Sequence, residues 1–147
     1  MKNAASFLKK QFFNAVLEND LSTVKQSLTA GVHIDEKFNE HSTAIMLAIF
    51  DGHKEIVAEL LKHNPDLFIE DDIGLTPVFM ADFCTLGMGR SSISMKIKNE
   101  IRTMVQLKAE ADQSAVADRL EQQKKQSQNL AAWRAKNSKK IPLKRRR

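Results

Sequence analysis

Thr43-Ala44-Ile45-Met46-Leu47-Ala48-Ile49-Phe50-Asp51-Gly52-His53-Lys54-Glu55-Ile56-Val57-Ala58-Glu59-Leu60-Leu61-Lys62 is the stretch whose reading decides the fold. A hydroxyl residue precedes an apolar run, as at a helix start. Asp51-Gly52-His53 then breaks the run with a turn. Ile56, Val57, Leu60 and Leu61 resume it on one stripe at helical spacing. His63-Asn64-Pro65-Asp66 ends this second helix, and Leu67 to Gly74 reads as an extended hairpin loop. The unit is thus two short antiparallel helices and a projecting loop.

The same pattern returns at an offset of 33. Ala15, Ala48 and Ala81 coincide, Thr43 falls on Thr76, and Ile45 on Val78. Val24 falls on Val57, Leu28 on Leu61 and Ile34 on Leu67. Thr76-Pro77 sharpens the helix-start signal, because proline fits the first helical turn. A single helix pair cannot bury its apolar face alone, so successive units must stack.

These residues resemble the ankyrin-repeat family over roughly residues 7–86. The resemblance is carried by Thr43 to Ala48, Gly52-His53, Ile56-Val57, Leu60-Leu61 and Gly74-Leu75-Thr76-Pro77. Several positions depart from the family pattern. His41 stands where Gly74 supplies the turn glycine, Ala44 where Pro77 supplies the proline, and Met46 where the family has histidine. The first unit, Phe7 to Ile34, lacks Thr-Pro and carries Asn19 in place of Gly52, as an N-terminal cap would. Lys9, Lys10 and Gln11 are placed on its wet face. In the third unit Gly87-Met88-Gly89-Arg90-Ser91-Ser92 enlarges the turn, and Ile97, Ile101, Met104 and Val105 form an amphipathic face that closes the stack.

The expected fold is therefore all-α: a short ankyrin-repeat solenoid of stacked helical hairpins with an extended C-terminal helix. Residues 1–107 are assigned to the repeats and their caps, 108–136 to the extended helix, and 137–147 to a disordered basic tail. From Lys96 to Lys136 there is neither proline nor glycine, and helix formers dominate. Glu121 to Asn129 offers nothing to bury, so this helix is expected to leave the body or fray near residue 110. No a/d heptad persists there to make a coiled coil convincing.

Charge is polarised along the chain. The formal net charge is +5, yet residues 11–86 hold thirteen acids and four bases, a net of −9. Residues 134–147 hold eight bases and no acid. A basic total is therefore no sign that the repeats bind nucleic acid. The single cysteine, Cys84, excludes an intramolecular disulfide and a multi-cysteine metal site. Lys9 and Lys10 interrupt the N-terminal apolar run that a signal peptide needs, and no apolar stretch is long enough for a membrane span. The expectation is a soluble intracellular protein, cytoplasmic, with the nucleus as the alternative suggested by the tail.

No catalytic constellation stands out. His33, His41, His53 and His63 lack paired metal-ligand spacing, Glu70-Asp71-Asp72 lacks the rest of a calcium loop, and no glycine-rich phosphate cradle exists. His53 reads as a structural hydrogen-bonder in the turn, and Cys84 as a small buried apolar group. The chain is read as a non-enzyme with no cofactor and no metal.

Within the resembled family, partners dock on hairpin tips and on the concave face of the first helices. Carried over by position, the tips are Phe38, Asn39, Glu40 and Ser42, then Asp71, Asp72, Ile73 and Leu75. The ends of the first helices are Leu17 and Glu18, Phe50 and Asp51, and Phe83 and Cys84. Phe50 and Phe83 either form an outward aromatic column bordered by acids or turn inward to fill the core. The leading expectation is a monomeric adaptor or scaffold that binds a basic or amphipathic protein segment, with no small-molecule substrate. The alternatives are a nucleic-acid or anionic-membrane binder acting through Lys139, Lys140, Lys144, Arg145, Arg146 and Arg147, and an effector that an intracellular bacterium delivers into host cells. A merely solubilising tail is the bland reading of the same basic run.

Overall fold

The computed structural model describes residues 2–39, 41–88 and 90–137. Six helices are described: α1 (Lys2–Leu17), α2 (Leu21–Thr29), α3 (Ala44–Asp51), α4 (Lys54–Lys62), α5 (Pro77–Phe83) and α6 (Met95–Asn137). Strands β1 (Lys37–Phe38) and β2 (Ser42–Thr43) pair antiparallel, Lys37 opposite Thr43 and Phe38 opposite Ser42. Two compact units result, residues 1–109 and residues 110–147.

Local chemistry sets the helix ends. Asp20 caps α2: its Oδ1 accepts the Thr23 N–H at 3.1 Å and its Oδ2 the Thr23 hydroxyl at 2.6 Å. Thr76 does the same for α5, its Oγ1 accepting the Phe79 N–H at 3.2 Å with Pro77 in the first turn. Between paired helices the chain reverses through a left-handed residue, Asn19 at φ 60° after α1 and Gly52 at φ 72° after α3. Asparagine tolerates this region better than other side-chain-bearing residues, so it can replace glycine at the same repeat position.

The units stack as the period requires. α1 packs on α2 and α3, α3 on α4 and α5, and α2 on α4. One core results, holding Phe12, Phe13, Val16, Val24, Ile45, Ile49, Ile56, Val57, Leu60 and Leu67. Ala15, Ala48 and Ala81, which share one repeat position, are all buried, because first helices meet there and only a small side chain fits. Residues 95–109 of α6 supply the second helix of the last pair, with Ile101, Val105 and Ala109 buried in the same core. Arg102 Nε lies 2.6 Å from Asp82 Oδ1 and Lys54 Nζ 2.6 Å from Glu100 Oε2, fastening α6 to α5 and α4.

His53 does what its position suggested. Its Nδ1 meets the Val16 carbonyl oxygen at 2.8 Å, and so pins the turn of one unit to the end of the preceding first helix, where carbonyls lack intrahelical partners. Cys84 is buried, and that burial pushes its thiol pKa up, which leaves it unreactive.

One expectation needs adjusting. The loop after Leu67 forms no ladder like that of β1 and β2. Asp71 closes it instead: its N–H donates to the Leu75 carbonyl at 2.9 Å, and its Oδ1 accepts from Ile73 N at 3.0 Å and Leu75 N at 2.8 Å. The carboxylate thus takes the place of a strand partner. At the first hairpin the left-handed residue is Asn39 at φ 48°, and in the next loop it is Gly74 at φ 81°. The extended C-terminal helix expected from sequence is α6, which continues to Asn137. Burial nevertheless stops at Ala109.

One polar atom in the core is orphaned. Thr43 is fully buried, makes no cap bond to α3, and its Oγ1 has no hydrogen-bond partner. The residue one turn on, which could have answered it, is Met46. An unanswered buried hydroxyl costs about 1–3 kcal/mol. Thr43→Val should therefore raise the unfolding free energy by about 1 kcal/mol in a denaturant titration; a clear loss would mean that the hydroxyl is satisfied.

Glu59 on α4 gathers basic side chains: Lys62 at 3.1 Å, His63 at 3.5 Å and Lys25 at 3.9 Å. The Lys62 hydrogen bond is the main reason its carboxyl titrates below the ordinary 4.5. A carboxyl with a depressed folded pKa stabilises above its unfolded pKa, and that share is lost as pH falls through the folded value. Glu59→Gln should accordingly flatten part of the stability loss below about pH 4.5 and leave the curve above pH 5 parallel to that of the parent chain. An unchanged acid limb would remove Glu59 from this role.

Candidate functional site

The hairpins and the first helices carry the residues singled out from sequence. Successive hairpins are stitched together at almost one repeat spacing. Asp35 Oδ1 accepts the Asp66 N–H at 2.8 Å, Lys37 Nζ donates to the Glu70 carbonyl at 2.8 Å, and His41 Nδ1 lies 2.9 Å from Asp72 Oδ2. The tips therefore behave as one edge rather than as separate loops.

Several of the residues at this edge face inward. The Phe38 ring lies 5.1 Å from that of buried Phe13, which in turn meets Phe12 at 5.3 Å. Phe38 therefore anchors the first hairpin on α1. Leu75 packs against the core and Ser42 is half-buried within β2. Asp71 spends its carboxylate on its own loop, as described above. Asn39, Asp72 and Ile73 remain exposed, Ile73 the most so. Glu40 lies outside the described residues, as do Lys139, Lys140, Lys144, Arg145, Arg146 and Arg147.

The ends of the first helices divide similarly. Leu17 and Glu18 are exposed. Phe50 is exposed to 38% and Phe83 is half-buried, so neither is consumed by the core. Asp51 differs: its side chain is only 6% exposed and pairs with Arg90 Nε at 2.8 Å. Arg90 comes from the enlarged turn of the third unit, which begins as a wide π-type turn over Cys84–Met88. Ile93 of the same segment lies over Gly52, so close that a Cβ there would stand 2.6 Å from its Cδ1. The insertion is thus a strap across the end of α3.

One exposed residue escaped the sequence reading. Phe79 shares the repeat position of Met46 and Phe13, both buried, yet is 51% exposed. Its ring sits 6.1 Å from that of Phe83. The signal available was that α5 is the last first helix of the described stack, which leaves its outer face without a successor. A shallow groove between α1 and the first hairpin was also not foreseen; Lys10, Phe13, Asn14, Phe38 and Asn39 line it. Among the described residues no group of three or more His, Cys, Asp or Glu could hold a metal ion, and no helix is long and apolar enough to cross a membrane.

A family model for ankyrin repeats in three copies matches residues 12–85, half of the chain. The chain belongs to the ankyrin-repeat family. A putative ankyrin repeat protein of Rickettsia felis is 34% identical over 104 residues, covering 70% of this chain and 32% of that protein. The match thus spans about a third of that relative's length. Among solved structures, the ankyrin domain of AnkB from Legionella pneumophila superposes with a TM-score of 0.59 at 19% identity, covering 70% of this chain and 91% of that domain. The ankyrin fold is therefore established both by sequence and by shape, and ankyrin repeats serve in general to bind other proteins. In ankyrin terms, α1, α3 and α5 are the inner helices, and Phe50, Phe79 and Phe83 lie on the later two.

Proposed function

We propose that this ankyrin array binds an amphipathic, basic segment of another protein across Phe50, Phe79 and Phe83, with Asn39, Asp72 and Ile73 of the hairpin edge completing the contact. The observation that carries the reading is the solvent-exposed Phe79 ring with half-buried Phe83 beside it, ring centroids 6.1 Å apart. Phe50 stands on the stacked helix α3 at the same repeat position as Phe83. Exposed aromatic clusters are the usual source of binding energy at interfaces, with charge fixing register and on-rate. The acidic balance of residues 11–86 favours a basic partner, although Asp51 and Asp71 are committed to internal contacts and contribute only to the field.

Affinity capture from the native cell, followed by titration of the retained protein, tests this. Phe50→Ala combined with Phe79→Ala and Phe83→Ala should weaken binding by at least about a hundredfold, given about 1–2 kcal/mol for each anchoring ring. Asp72→Asn should cost only a few-fold and mainly in low salt. Capture unaltered by the triple substitution would sink the assignment.

A second reading rests on sequence: the eight bases of residues 134–147 could bind a polyanion. It requires binding that collapses with added salt and disappears when residues 134–147 are removed.

A further inference from the structure

The segment 110–137 of α6 poses a physical problem. Its side chains are almost all exposed, and a helix polar all round draws little stability from propensity alone. Its apolar residues are few but placed with order. Val116, Leu120 and Leu130 fall on one face by their spacings of four and ten, with Trp133 at its edge, and all four are about half-exposed. Lys125 and Glu121, paired at 3.1 Å, occupy the opposite face and keep their charges clear of this seam.

Charge is arranged with equal order. The first half holds Glu110, Asp112, Asp118 and Glu121 against Arg119; the second holds Lys124, Lys125, Arg134 and Lys136 with no acid. One segment therefore carries an acidic half and a basic half. A surface that is its own complement when reversed is matched by a second copy of itself running the other way. A parallel pair would set acid on acid and base on base.

We propose that residues 110–137 pair with the same residues of a second copy, antiparallel and centred near residue 125. Leu120 of one copy then meets Leu130 of the other, and Val116 meets Trp133. The acidic half of each helix lies along the basic half of its partner. Gln123 and Ser127 face each other in the polar middle, which makes the pair modest in affinity and sensitive to salt. This replaces the monomer expected from sequence and stands apart from the aromatic surface on α3 and α5.

Sedimentation velocity on the full chain across the micromolar range should show a monomer–dimer equilibrium that high salt shifts toward monomer. Arg134→Glu should weaken dimerisation several-fold, and adding Asp112→Lys should restore it. Orientation is read by cross-linking, since native Cys84 is buried. Chains carrying Leu120→Cys mixed with chains carrying Leu130→Cys should form a disulfide under mild oxidation, while either alone should not. A chain that stays monomeric throughout, with or without anionic vesicles, overturns the proposal. So does a dimer strengthened by the Arg134 reversal, which contradicts the pairing of acidic with basic halves, or one in which Leu120→Cys cross-links with itself, which requires a parallel pair.

Discussion

Phe13→Ala is expected to lower the unfolding free energy by about 3–5 kcal/mol, the range for removing a fully buried ring. Phe13 has no solvent exposure and links two partners, Phe12 at 5.3 Å within α1 and Phe38 at 5.1 Å on the first hairpin. Its loss leaves a cavity under α1 and releases the anchor of β1 and β2 together. Stability in a repeat array is a sum over units and their interfaces, and a small domain has about 5–15 kcal/mol in total. The first unit and its hairpin should therefore open well before the middle unit does. Phe7, exposed at the other edge of α1, supplies the control: Phe7→Ala should move the denaturant midpoint hardly at all. Equal effects from the two substitutions would mean that α1 does not dock as described.

Gly52→Ala should cost about 2–5 kcal/mol, for two separable reasons. The residue sits at φ 72°, where a Cβ costs about 1–2 kcal/mol. The added methyl would also stand 2.6 Å from Ile93 Cδ1 and 2.8 Å from its Cγ2, so the whole side chain must move, at about 1–3 kcal/mol for overpacking. A double-mutant cycle separates the two. In an Ile93→Ala background the methyl has room, and only the backbone share should remain. Displacing Ile93 also loosens the strap that brings Arg90 to Asp51, so Gly52→Ala should raise protease sensitivity within 87–94 first. Additivity between the two positions would show that the strap does not lie over this turn.

Much of this was legible because repetition turns one local pattern into several aligned copies. Asn19 could be placed in a left-handed turn because Gly52 occupies the same repeat position, and His53 could be assigned a structural role from the turn it sits in. What escaped notice lies where the period gives no information. Phe38 belongs to a hairpin tip by position, but its direction is set by Phe13, a contact between helix and hairpin that no offset of 33 encodes. Asp51 was read as a binding acid because Arg90 belongs to an insertion outside the repeat. Phe79 was passed over because its equivalents, Phe13 and Met46, are buried; only the end of the stack exposes it. The loop after Leu67 was drawn as a hairpin because the first loop is one, whereas a single carboxylate, Asp71, closes it differently. Propensity reports α6 well as a helix, but says nothing of what its exposed residues meet.

The central claim is that helix pairs recurring every 33 residues stack into one core, with α3 and α4 in its middle. Amide hydrogen exchange followed residue by residue measures this directly, because buried, packed helices exchange only through larger openings. Amides of Leu47 to Phe50 and Val57 to Leu61 should be the most protected in the chain, and orders of magnitude slower than those of Val116 to Leu130. Exchange over 45–61 as fast as over 116–130 would contradict the stacked array and, with it, the binding surface built upon it.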